Sequence, residues 1–217
     1  MEKRERELLA RGAAAVGINL TEGQLDTFAA YAAELARWGG KINLTSLRDP
    51  AEIVERHFVD SLALARFCPS GALLDLGTGA GFPGMPLQIV RQDLHVTMVD
   101  SSLKRIAFVK MLLARFDLKA TAFAARVEGD PAKERIPPAT LVVSRAFKDV
   151  SDWLKLARSY TLPGGAVAAM LGKTVAAETN LSEMAISFGM TLESEHRFSL
   201  PFSGAERGVA IFRMPHE

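Results

Sequence analysis

The chain has 217 residues, 48% of them hydrophobic and 24% charged, with a formal net charge of +1. That balance excludes a disordered chain, fits one globular unit with room for an appendage, and leaves any polyanionic partner to a local patch instead of the global charge. One cysteine, Cys68, excludes an internal disulfide, and four scattered histidines give no zinc-ligand spacing; the mixed-charge start MEKRERELLARG and the broken weakly charged stretch 71–90 read as neither signal peptide nor membrane span, so a cytoplasmic protein without metal or membrane attachment is expected.

Residues 1–69 read as a helical cap and 70–217 as one compact α/β domain. Thr21 opens T-E-G-Q, a capping box, and Leu25, Phe28, Ala32 and Leu35 follow at helical spacing to Trp38, where Gly39-Gly40 predicts the end of the helix. After the polar loop KINLTSLRD comes D-P-A-E (49–52). There Asp49 caps, Pro50 takes the first helical position and Glu52 closes the box. Ile53, Val54, Phe58 and Leu62 then carry an apolar stripe to about Phe67.

From Ala72 the texture becomes short apolar runs: ALLDL, HVTMVD (95–100), TAFAA (121–125), TLVVS (140–144) and GAVAAML (165–171). Near-continuous apolar strands belong to a sheet covered on both faces. SSLKRIAFVKMLLARF, with serine caps at Ser101 and Ser102, VSDWLKLARSY and TVAAETNLSEMAISFG supply helices between the later runs, so βαβ units and a parallel sheet are predicted. The tail segments 191–200 and 207–214, joined by PFSGAE, predict an antiparallel pair at one edge.

The segment LLDLGTGAGFPG (73–84) places Gly77, Thr78, Gly79 and Gly81 directly after the first strand, and Asp100 ends the second. A glycine turn, a helix N-terminus and an acid placed for ribose hydroxyls together predict a nucleoside-containing cofactor. The dinucleotide fingerprint G-x-G-x-x-G would need glycine where Phe82 stands, so the spacing G-x-G-x-G disfavours a nicotinamide-dependent dehydrogenase. The pattern D-x-G-x-G-x-G after an apolar strand resembles the first motif of class I methyltransferases, which favours S-adenosylmethionine. Cys68 precedes the first strand and SRAF (144–147) replaces the D/N-P-P-Y/F motif of exocyclic-amine methylation, so pyrimidine carbon-5 and amine acceptors both lose support. Purine N7 offers a lone pair without a proton, and positioning alone can serve it.

NLTSL (43–47), RHFVDSL (56–62), DLGTGAGFPGMPL (75–87), SSLKRIAFV (101–109), RVE (126–128), SRAF and Gly172-Lys173 together resemble the bacterial 16S rRNA guanine-N7 methyltransferase G family, also called glucose-inhibited division protein B. The resemblance implies a Rossmann-like class I methyltransferase fold: a mostly parallel seven-stranded sheet, an antiparallel edge hairpin and an N-terminal helical appendage. It implies S-adenosylmethionine as cofactor and methylation of a guanine in a decoding-region loop of 16S rRNA, with free rRNA or the small ribosomal subunit as partner. Gly77, Phe82, Val127, Glu128 and Arg145 carry over as cofactor contacts. Asp100 stands where many members have glutamate, and Ala139-Thr140 where members often carry aspartate.

Val127 and Glu128 follow the third strand, where adenine should lie. The guanidinium of Arg145 should face an anion or guanine O6 and help to position the base. By residue type and position, Lys41, Arg48, Arg56, His57, Lys148, Lys173 and Arg207 are expected to meet RNA phosphates. Plainer roles compete: His57 as a helix-packing histidine, Lys104 and Arg105 as a solvated face, Trp38 and Trp153 as core anchors, Asp75 as a brace of the glycine turn. A monomeric enzyme is expected; the alternative is a non-catalytic assembly factor that keeps the cofactor pocket.

Overall fold

In a computed structural model, which describes residues 1–42, 44–145, 149–172 and 180–216 with Lys41 by its backbone only, the apolar runs become strands of a seven-stranded sheet. β1 (Gly71–Leu76), β2 (Leu94–Asp100), β3 (Thr121–Ala124), β4 (Ala139–Ser144) and β5 (Thr161–Gly172) run parallel, while β7 (Glu206–Arg213) pairs antiparallel with both β5 and β6 (Thr191–Ser199). The order is β3-β2-β1-β4-β5-β7-β6. The chain therefore winds outward from β1 in one direction and restarts at β4 in the other. Between these two strands lies the switch point where open α/β sheets leave a crevice at their C-terminal ends.

Alternate residues of each strand face opposite layers, because side chains alternate along a strand. Leu73, Val96, Met98, Leu141 and Val143 join a core with α1 (Lys3–Ala15), α2 (Glu22–Ile42), α5 (Gly84–Val90) and α6 (Leu103–Arg115). Leu74, Leu76, Val99, Val142 and Val167 join the opposite core, with α8 (Val150–Ala157) and α9 (Leu181–Ser187). α3 (Pro50–Ile53) continues through a π segment (Val54–Val59) into α4 (Asp60–Leu62), and its Phe58, Val59 and Leu62 enter the first core. The N-terminal helices thus share one hydrophobic core with the sheet.

Local expectations needed three corrections. Gly39-Gly40 does not end α2, which runs to Ile42; a Cβ on Gly39 would lie 3.5 Å from Arg48 Nη1 and 3.9 Å from Thr45 Cγ2, so the glycines admit the following loop close to the helix. Glu52 does not close a box: Asp49 Oδ1 accepts the Ala51 amide at 3.2 Å, but the Glu52 carboxylate pairs with Arg56. The short α7 (Pro131–Glu134), capped by Asp130, was not anticipated. Trp153 is a core anchor, its indole N–H donating to the Ala168 carbonyl at 3.1 Å, whereas Trp38 is half-buried and donates to Glu34. Among the described residues no helix is long and apolar enough to cross a membrane.

Candidate active site

The glycines of the first turn divide by what surrounds them. Gly77 and Gly79 adopt φ of +75° and +60°, a left-handed backbone that costs an L side chain about 1–2 kcal/mol. A Cβ on Gly79 would meet nothing nearer than the Gly77 carbonyl at 4.0 Å, so this backbone is open to a ligand. Gly81 and Gly84 answer to the protein instead. Their Cβ atoms would stand 2.8 Å from the Tyr31 hydroxyl and 2.8 Å from Met98 Cγ. Asp75 is fully buried and braces the turn: its Oδ2 accepts from Thr78 Oγ1 at 2.6 Å and from the Gly84 amide at 2.8 Å. The brace reading of Asp75 is the one the geometry supports.

Asp100 works from the next strand. Its Oδ2 accepts the Gly79 amide at 2.9 Å, its Oδ1 accepts the Ser102 amide at 2.8 Å, and Arg105 approaches to 3.5 Å. A carboxylate offers about four acceptor positions, so Asp100 can tie the turn to α6 and still receive a hydroxyl. It lines a cleft of about 300 Å³ with Gly77, Ser101, Arg105, Ala125 and Val127. Glu128, just beyond, is exposed; its amide and that of Asp130 donate to Glu134 Oε1 at 2.9 Å each, and Tyr160 donates its hydroxyl to the other oxygen. This Glu134–Tyr160 brace, which sequence reasoning missed, fixes the loop at the rim. The open glycine backbone, the spare acceptor capacity of Asp100 and the half-buried Val127 fit the nucleoside part of a cofactor such as S-adenosylmethionine.

A second cavity of about 420 Å³ opens beyond β4 and β5, lined by Arg56, His57, Asp60, Arg145, Gly172 and Arg207 among others. The helix that carries Arg56, His57 and Asp60 changes register beside it. The Asp60 amide donates to the Glu55 carbonyl, five residues back, and not to that of Arg56. Arg145, which follows β4, supplies donors on that side: Nη1 lies 3.3 Å from the Arg56 carbonyl, 3.4 Å from that of His57 and 3.3 Å from Ser61 Oγ. Within the protein its fork meets helix oxygens. π segments commonly mark functional sites, and here the shifted register has an identifiable partner.

Phe82 joins the two regions. Its ring, 4% exposed, stacks on Tyr31 at 5.4 Å and on His57 at 4.6 Å, and the Arg145 guanidinium carbon lies 4.9 Å from its centroid. His57 accepts at Nδ1 from Arg145 Nη2 (3.0 Å), which leaves Nε2–H to donate to Thr45 Oγ1 (2.7 Å). Burial and the Arg145 charge lower its pKa to about 3. A neutral ring with both nitrogens engaged is not a phosphate-binding cation.

These shifts fix a pH dependence. The unfolded chain protonates His57 near pH 6.5 and the folded chain near 3, so its contribution to stability is complete above about 6.5 and lost as pH falls towards 3. Asp75 acts oppositely: burial raises it from 3.8 to about 6, so its contribution is complete below about 3.8 and lost as pH rises through 6. The His57 displacement is the larger. Asp60, also raised by burial, acts in the same direction as Asp75, so the His57 part is isolated by comparison. His57→Gln is expected to raise the thermal unfolding midpoint at pH 4 relative to that at pH 7, compared with the unaltered protein, and parallel profiles for the two proteins would rule out this assignment.

The remaining predicted cations are dispersed. Arg207 reaches Asp60 at 3.3 Å and Arg56, exposed, pairs with Glu52 at 3.3 Å; both line the second cavity. Arg48 lines a different groove, with Met1, Ala32, Leu35 and Pro50. Lys148, Lys173 and the side chain of Lys41 lie outside the described residues. Sequence reasoning passed over Asp60, although it stands within the quoted RHFVDSL segment.

The family described as rRNA small subunit methyltransferase G matches residues 24–204. Ribosomal RNA small subunit methyltransferase G of an Anaeromyxobacter species is 43% identical over 214 residues, covering 98% of this chain and 99% of the relative. In fold, the chain is similar to a methyltransferase from Pyrococcus furiosus, with a TM-score of 0.61 at 17% identity over 87% of this chain and 98% of that one. It is likewise similar to a SAM-dependent methyltransferase from Aquifex aeolicus, with a TM-score of 0.56 at 16% identity over 78% and 96%.

Proposed function

The chain belongs to the rRNA small subunit methyltransferase G family, and from that membership we propose that it moves the methyl group of S-adenosylmethionine onto N7 of a guanine in a decoding-region loop of 16S rRNA. The observation that carries this reading is the pairing of two clefts at one switch point. A nucleoside-sized cleft lies at the ends of β1, β2 and β3, and a polar, arginine-lined cavity at the ends of β4 and β5, on the other side of the switch between β1 and β4. Gly77, Thr78, Gly79, Asp100, Val127 and Glu128 would hold the cofactor, whose sulfonium supplies an electrophilic methyl group when bound. Gly81 and Phe82 support that site from behind, through Tyr31 and His57.

The chemistry of the nearby side chains favours an acceptor that needs no proton removed. Cys68 is buried, donates to the Leu64 carbonyl at 3.4 Å, and has its thiol pushed up to about 12 by burial, so it is no nucleophile for pyrimidine carbon-5. His57 has both ring nitrogens occupied and Asp60 is ion-paired with Arg207. Purine N7 attacks with a lone pair already present, and the protein's task reduces to holding the base and the methyl donor in line. The base must leave its stack to reach that position.

The test is transfer of labelled methyl from S-adenosylmethionine to small ribosomal subunits lacking their N7-methylguanine, followed by borohydride reduction and aniline cleavage. Strand scission at a single 16S guanine is the expected result. Label elsewhere on the RNA would remove the N7 assignment; no label, despite measured adenosylhomocysteine binding, would favour a non-catalytic assembly factor.

A further inference from the structure

Asp60 opens α4, just past the π segment, with 8% of its surface exposed and its carboxylate in the wall of the second cavity. Oδ2 accepts from Arg207 Nε at 3.4 Å. That nitrogen is also 3.3 Å from Oδ1, but its one N–H is aligned with Oδ2, and among the described residues Oδ1 accepts no hydrogen bond. An ionised oxygen buried without a donor is costly, and native proteins rarely keep one without use. Burial raises the pKa of this carboxylate above its ordinary value, and the charges of Arg145, Arg207 and Arg56 oppose that rise without cancelling it. The outcome is a carboxylate in the wall of a polar cavity with one oxygen buried and without a donor.

We propose that Asp60 reads the Watson–Crick edge of the target guanine, its carboxylate accepting from N1–H and from the N2 amino group. The inference rests on the N7 reading above and names the residue that selects the base. Among the RNA bases only guanine presents two neighbouring donors on that edge. Adenine places a lone pair at N1, cytosine a lone pair at N3, and uracil a single donor between two carbonyls, so each sets at least one acceptor against the carboxylate. A flipped base is commonly read on this edge, and the contact leaves N7, across the ring, free to face the methyl donor. Arg207 donates to one oxygen only, and the other, buried and without a donor, is the acceptor that a bound base would satisfy once the side chain turns it into the cavity.

The experiment compares kcat/KM for methyl transfer to small subunits reconstituted around 16S rRNA with guanosine or inosine at the acceptor position located by strand scission. Inosine keeps N7 and N1–H and lacks only the N2 amino group. The unaltered enzyme is expected to lose roughly 10- to 100-fold on inosine, the effect of deleting one charge-assisted hydrogen bond. Asp60→Asn is expected to lose a comparable factor on guanosine and to treat the two substrates nearly alike, while calorimetry shows adenosylhomocysteine binding retained. Equal efficiency of the unaltered enzyme on both substrates, or an unchanged preference in Asp60→Asn, would overturn the proposal. Should Asp60→Asn fail to bind adenosylhomocysteine, Asp60→Glu keeps the charge opposite Arg207 and is read the same way: a narrowed preference supports the contact and an unchanged one overturns it. Failure of the unaltered enzyme to methylate guanosine at all overturns the N7 reading as well, whereas transfer without discrimination overturns this inference alone.

Discussion

Gly84→Ala is expected to destabilise the fold by roughly 2–4 kcal/mol, the sum of overpacking and a disturbed buried hydrogen bond. Its new Cβ would lie 2.8 Å from Met98 Cγ and 2.9 Å from Asp75 Oδ2, the same oxygen that accepts the Gly84 amide. Neither neighbour has room to retreat, since Met98 and Asp75 are both fully buried. Gly79→Ala should behave differently. Its Cβ meets open space, so unfolding should shift by only about 1–2 kcal/mol for the left-handed backbone. Adenosylhomocysteine binding, however, should weaken about tenfold or more, because the methyl group occupies the surface a ligand would approach. Urea unfolding and calorimetry on both variants separate the two roles. Cofactor binding unchanged in Gly79→Ala would mean that the ligand does not come near this backbone.

That division shows where sequence reading succeeds and where it stops. Strand runs, the cap at Ser102 and the edge hairpin are local patterns whose period or capping residue is written in consecutive residues. The glycine spacing marked the turn beside the cleft for the same reason, yet it could not tell the glycines packed against other elements from those whose surface is open. That distinction depends on Tyr31 and Met98, which arrive from other elements. The π segment was invisible because VERHFV carries an ordinary helical stripe, and Arg145, the donor to its carbonyls, stands 88 residues from His57. Asp60 was hidden likewise, its partner Arg207 being 147 residues away. Gly39-Gly40 misled because local propensity is a weak prior against a loop that packs on the helix. α7 was a different kind of miss: D-P-A-K at 130–133 carries nearly the same cap signature as D-P-A-E at 49–52 and could have been read.

Arg145→Met is expected to cost about 2–3 kcal/mol of stability, because it leaves helix acceptors without their donor and the buried Asp60 carboxylate with less compensating charge. Methionine replaces the stem but supplies no donor to the carbonyls of Arg56 and His57, to Ser61 Oγ or to His57 Nδ1, and Asp60 loses one of its three supporting charges. With the π segment no longer tied to the end of β4, the second cavity should lose its shape. Methyl transfer should then fall by at least about 100-fold, since small misplacements of a reacting group are that costly. Arg145→Lys keeps a positive charge, but one ammonium cannot span the acceptors reached by a planar fork, so an intermediate loss of about 1–2 kcal/mol follows. Urea unfolding, single-turnover transfer and adenosylhomocysteine calorimetry on both variants decide what Arg145 does. A stability loss with cofactor affinity retained would identify it as the brace of the RNA-side cavity, as its contacts imply. Normal stability with transfer abolished would instead make its guanidinium a direct contact to RNA or cofactor, and the helix carbonyls would be resting partners that it leaves on binding.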